Sequence, residues 1–158
     1  MKTINKIVVA AFLCAAISCS EDSDVNPGSG PSQEIEARVT VTNQSMTAWV
    51  FTELEGNTAS VSLNEANTTI TLKVGKRYNF INLGGPVHPL DFRDEDGNYL
   101  LTQGDEVGEF EDDEDVDFEI VLDDDLVAFT LTEELADRLA TYNCTIHPVM
   151  VGDIVIVE

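Results

Sequence analysis

The stretch YNCTIHPVMVGDIVIVE, residues 142–158, sets two patterns end to end. Cys144, His147 and Met150 fall within seven positions, at Cys-x2-His-x2-Met spacing. Directly after them the chain turns to Val and Ile, and DIVIVE reads as a closing β-strand. Three sulfur or imidazole side chains on one expected loop therefore lead straight into a strand. A fold that accepts this stretch must place that loop at one end of a sheet.

Upstream, the chain repeats the strand pattern. Short runs rich in Val, Ile, Thr and aromatics occur at IEARVTVTN (35–43), TAWVFTEL (47–54), TTITLKV (68–74), RYNFINL (77–83), VDFEIVL (116–122) and LVAFTL (126–131). Turn formers separate them, among them Asn43-Gln44-Ser45, Glu55-Gly56-Asn57, Gly84-Gly85-Pro86 and Asp96-Gly97-Asn98. About seven strands at this spacing predict an all-β domain, an antiparallel sandwich or Greek-key barrel, with Trp49 in its core. One short helix is expected in TLTEELADRLATY (130–142), before the terminal motif. Thr132 suits its N-cap, Glu133 and Glu134 its first turn, and Leu135 and Leu139 share a face. No internal repeat and no second domain are evident.

Residues 1–18 read as a lipoprotein signal peptide. Lys2 and Lys6 precede an apolar run, Ile7–Ile17, that is too short to span a bilayer. Ala16-Ile17-Ser18-Cys19 resembles a bacterial lipobox, which makes Cys19 the expected lipidated residue. The acidic SEDSD after it resembles a surface-export signal of bacterial lipoproteins. Residues 19–34, rich in Ser, Gly, Pro and acids, read as a flexible acidic tether, and 35–158 as the folded domain. The expected location is outside the cytoplasm, lipid-anchored to the cell envelope at the outer membrane, with a surface-exposed position open.

Composition narrows the function. The 158 residues are 43% hydrophobic, enough for a core, and carry 30 acidic against 8 basic side chains. Loss of Lys2 and Lys6 with the signal takes the formal charge from −22 to −24. Such a surface repels nucleic-acid phosphates, so a nucleic-acid partner is excluded. With Cys19 lipidated, Cys144 has no partner for a disulfide within the chain. The densest acidic run, Gly104–Asp125, reads first as a solvated face and second as a docking patch for a cationic redox partner, for instance a c-type cytochrome. DFRDEDGNY (91–99) misses the EF-hand spacing and reads as a hairpin turn.

The chain has two histidines, His88 and His147. Two imidazoles, a thiolate and a weak axial thioether are the donor set of a type 1 (blue) copper electron-transfer site. Zinc could use Cys144 and both histidines with water as a fourth ligand. Singly, a buried Cys is a small hydrophobe and Met150 a core filler. Jointly, both histidines and the one unmodified thiol select a metal. With both histidines so engaged no general base remains, and no enzyme activity is expected.

The terminal stretch resembles the copper-binding loop of the cupredoxins, the plastocyanin and amicyanin family. Its short spacing, its His-Pro, and the Gly two residues past the Met are most similar to the amicyanin kind. NLGGPVHPLDF (82–92) resembles the family segment bearing the first histidine. The resemblance covers about residues 35–158. It implies a cupredoxin-like Greek-key β-sandwich, one copper ion held by His88, Cys144, His147 and Met150, and single-electron transfer. Copper carriage or storage, and a metal-free sandwich serving adhesion or assembly, remain the alternatives. One departure stands out: Pro89 follows His88 where many relatives carry a polar residue that hydrogen-bonds the cysteine-bearing loop. Proline offers neither an N–H nor a polar side chain, so that tie is expected to be missing.

Overall fold

The computed structural model describes residues 35–158. The signal peptide, the lipidation residue Cys19 and the tether lie outside the described residues. Strands are β1 (Ala37–Gln44), β2 (Ala48–Gly56), β3 (Ala59–Val61), β4 (Ile70–Lys73), β5 (Arg77–Asn82), β6 (Leu90–Arg93), β7 (Tyr99–Thr102), β8 (Glu119–Val121), β9 (Leu126–Thr130), β10 (Thr141–Cys144) and β11 (Val151–Val157). They form two sheets, ordered β2-β1-β5-β9-β8 and β3-β4-β11-β10-β6-β7. The domain is thus an all-β sandwich, as expected.

Both sheets are mixed. β1 pairs with β5 in parallel, and β4 pairs with β11 in parallel, while the remaining ladders are antiparallel. The antiparallel expectation is corrected here. Alternation within a strand says which face is buried, but nothing about the direction of a partner that arrives after a crossover.

Seven of the strands coincide with the seven apolar runs. Four were not legible: β3, β6, β7 and β10 are three or four residues each and lie outside the apolar runs. β6 and β7 form the hairpin expected at Asp96-Gly97-Asn98, with Gly97 at φ +83°. The helix α1 (Glu133–Ala136) is a single turn, capped by Thr132, whose Oγ1 accepts from the Leu135 N–H (3.2 Å). Asp137 ends it and Leu139 continues inward as a buried residue outside the helix.

The core lies between the sheets. Phe80 (β5) and Phe129 (β9) stack at 5.8 Å, and Phe92 (β6) meets both edge-on at 5.1 and 5.0 Å. Phe51 (β2) meets Tyr142 (β10) edge-on at 5.1 Å across the same gap. These pairs join the sheets by apolar burial and by edge-to-face attraction. Gly152 pairs with Tyr142 across β10 and β11, and a Cβ there would overlap the phenol ring. The Tyr142 hydroxyl then reaches the Thr68 carbonyl (2.5 Å).

Strand ends gather at one pole. β1 and β5 both end there, β6 begins there, and the β10–β11 connection turns there. Arg77, at the other end of β5, faces the opposite pole and holds Asp117 and Glu119 at 2.8 and 3.4 Å.

Candidate metal centre

Cys144 is the last residue of β10, not a loop residue as expected. Its N–H donates to the Met150 carbonyl (3.0 Å), and the Met150 N–H donates to the His147 carbonyl (2.9 Å). Residues 145–150 are therefore a tight hairpin connection closed by its own backbone. Met150 is fully buried at its base. His147 is half-buried, between the exposed Ile146 and the exposed Pro148 and Val149.

His88 arrives from the other side. It follows a 3-10 turn, Gly85–Val87, in the connection between β5 and β6. Its N–H donates to the Gly85 carbonyl (3.0 Å). The ring is 5% exposed and lies edge-on to Trp49 at 6.2 Å. Gly84 lets this turn lie close, since a Cβ there would crowd Asn82, the His88 Cβ and the Trp49 ring at 3.0–3.2 Å.

The pole brings three of the four expected donors within reach of one another. Cys144 Sγ stands 3.9 Å from His88 Nδ1 and 3.5 Å from His147 Nδ1. All three donor atoms lie within 4.8 Å of one another. The two imidazole rings face each other at 4.6 Å. With metal bonds of about 2.3 Å to thiolate and about 2.0 Å to imidazole, donors around one ion stand roughly 3.5–3.8 Å apart. The 3.5 Å spacing to His147 meets that figure, and the 3.9 Å spacing to His88 lies just above it. Burial, and then the neighbouring His147, hold the His88 pKa below the ordinary imidazole value. A neutral ring keeps its lone pair available to a metal.

Several residues that hold these donors were not singled out in the sequence. Asn82, fully buried, donates through Nδ2 to the His88 carbonyl (2.8 Å) and to Gln103 Oε1 (2.7 Å). Its Oδ1 accepts from the Gly84 N–H (2.9 Å). Asn43 Nδ2 donates to the Ser45 carbonyl (2.8 Å) and lies 3.2 Å from His88 Nε2. An Asn near the end of the strand run RYNFINL, before the Gly84-Gly85-Pro86 turn, was the available signal for Asn82, because a buried amide needs partners.

The loop is not left untied by Pro89. The Thr145 N–H donates to the Pro89 carbonyl (3.2 Å), and Thr145 Oγ1 donates to Asp91 Oδ2 (2.8 Å). Asp91 is fully buried and is paired with Arg93, whose Nε and Nη2 donate to Oδ1 and Oδ2 at 2.7 and 3.0 Å. Position 89 gives the loop only its carbonyl, in keeping with a proline. The contact comes from the carbonyl of the proline and from a carboxylate two residues on.

No protein-family model matches the chain, and no curated protein does. Among solved structures, the chain is similar to a mutant amicyanin in its reduced state, at 19% identity over 76% of this chain and 82% of that one, with a TM-score of 0.35.

Proposed function

We propose that this chain is a type 1 copper protein that passes single electrons between redox partners outside the cytoplasm. The observation that carries this reading is the closure of Cys144 Sγ with Nδ1 of both His88 and His147 at 3.9 and 3.5 Å. In this reading His88 and His147 supply imidazole nitrogens, Cys144 the thiolate and the buried Met150 a weak thioether. Thiolate and thioether favour Cu(I), imidazoles accept both states, and copper bound there supplies one-electron chemistry.

The chain's own residues supply the constraint and the access. Asn82 and Gln103 hold the His88 turn, and the backbone bonds between residues 144 and 150 hold the loop. Donors fixed from two elements limit the rearrangement that accompanies a change of charge. The half-buried His147 is the outlet to solvent. Leu83, Val87, Ile146 and Val149 are exposed at this pole and form an apolar face for a partner. Beside it a groove lined by Gly85, Pro89, Leu122 and Ile146 carries Asp105, Glu106 and Asp125. That charge favours a cationic partner such as a c-type cytochrome. Lipidation at Cys19 would keep the domain at the envelope surface.

The test is the optical and electron-spin spectrum of the purified protein after addition of Cu(II). One equivalent of copper should produce an intense visible thiolate-to-copper band, and Cys144→Ser should abolish it. Stoichiometric copper with no such band would favour copper carriage or storage. No copper uptake at all would favour a metal-free binding module.

A further inference from the structure

Beyond Cys144 the β6–β10 ladder can continue only on one side. Leu90 pairs with Cys144, and the next step is Pro89 opposite Thr145. Pro89 accepts from the Thr145 N–H at 3.2 Å but has no N–H with which to return a bond. On its β6 side the loop that bears His147 thus keeps a single backbone tie, at the residue next to the thiol, while on its other side Cys144 N–H donates to the Met150 carbonyl (3.0 Å) and Asn67 Nδ2 to the Val149 carbonyl (3.2 Å).

A second tie comes from a side chain. Asp91 is fully buried and accepts three hydrogen bonds, two from Arg93 and one from Thr145 Oγ1. Burying a carboxylate is costly unless a cation and further donors surround it. Arg93 alone would neutralise it, and that guanidinium is itself held over the Tyr99 ring at 4.2 Å. The bond to Thr145 is the one that leaves the strand pair and enters the loop. Gly104 lies beside that hydroxyl, since a Cβ added there would stand 3.0 Å from Thr145 Oγ1.

We propose that Asp91, charge-balanced by Arg93, is a positioning residue that clamps the first residue of the metal loop through Thr145 and so holds the Cys144–His147 spacing formed before any ion arrives. The clamp takes over the tie that a polar residue at position 89 would make. It rests on the reading of this pole as a metal centre for its purpose, though its existence does not require metal.

Thr145→Val removes the hydroxyl while leaving volume, charge and the Asp91–Arg93 pair in place. Thr145→Ser restores the donor, and Asp91→Asn keeps an acceptor without the charge. The first measurement is amide hydrogen exchange on the metal-free protein. In Thr145→Val the amides of residues 144, 145 and 150 should exchange about tenfold faster or more, as expected for loss of a hydrogen bond to a charged acceptor. Core amides such as those of Val39, Phe80 and Phe129 should keep their rates, and Thr145→Ser should return the loop to that of the unaltered protein. Asp91→Asn should give an intermediate rise at the same three amides. The second measurement is release of bound Cu(II) to a chelator, followed at the thiolate band, which should be faster in Thr145→Val and not in Thr145→Ser. Unchanged loop exchange in Thr145→Val, or equal loosening of loop and core, would overturn the clamp. If the unaltered protein binds no copper, the functional reading fails, and the exchange result still decides the clamp.

Discussion

Asn43 places an amide 3.2 Å from His88 Nε2 while donating to the Ser45 carbonyl at 2.8 Å. With Nδ2 as the donor, His88 Nε2 accepts and the ring proton sits on Nδ1, toward Cys144. A metal ligated by Nδ1 leaves the proton on Nε2, which then needs an acceptor. Only the Asn43 Oδ1 can offer one from that side chain, and the amide must turn over to do so. Asn43→Leu should therefore weaken metal binding by about 10- to 100-fold, the usual effect of losing the partner of a ligating imidazole. Competition titrations with a chelator, using Zn(II) and Cu(II), read this directly. Equal affinities in the two proteins would remove Asn43 from the site.

Among the elements, the β6–β7 hairpin depends on one carboxylate. Asp94 accepts from the N–H groups of Asp96 (3.0 Å) and Asn98 (2.8 Å), from Asn98 Nδ2 (2.9 Å) and from Arg138 Nη2 (3.1 Å). These bonds, that of the Asn98 side chain foremost, lower its pKa from 3.8 to about 2. A carboxylate lowered in the folded state adds stability above its unfolded pKa and loses it as pH falls through the folded value. The contribution of Asp94 is thus complete above roughly pH 4 and gone below roughly pH 2. Asp94→Asn should lower the urea midpoint by a constant amount at neutral pH, and the gap should close on acidification across that window. A gap that persists at the acid end would mean that Asp94 acts by shape and not by charge. The helix cap offers a second check at this scale. Thr132→Ala should cost about 1 kcal/mol in urea unfolding, because it orphans the Leu135 N–H.

Over the whole molecule the acidic run does not form one patch. Its ends, Asp105 with Glu106 and Asp125, line the groove at the pole that bears His88, Cys144 and His147. Its middle runs to the other pole, where Asp117 and Glu119 meet Arg77. The formal charge of −22 supplies the long-range field, and acids stand at both poles. If copper is bound, electron exchange with a cationic oxidant should slow as salt rises, and exchange with an anionic one should quicken. The effect should be concentrated below about 0.15 M ionic strength, where the screening length exceeds about 8 Å. Stopped-flow rates with a cobalt(III) trication and with ferricyanide make the comparison. Parallel salt dependences for the two oxidants would rule out electrostatic control.

What the sequence determined by itself was local. Alternation marked seven of the eleven strands, Thr132 marked a helix start, and the spacing of Cys144, His147 and Met150 marked a compact donor loop. Those features lie in neighbouring residues, so propensity and period suffice to show them. The fold decided everything that joins distant residues. It set His88 beside Cys144 across 56 positions, Asn43 beside His88 across 45, and Asp91 beside Thr145 across 54. It also made β1–β5 and β4–β11 parallel. Side-chain pattern encodes which face is buried, whereas these contacts depend on which strand ends share a pole, and that is settled only when the two sheets close on their core.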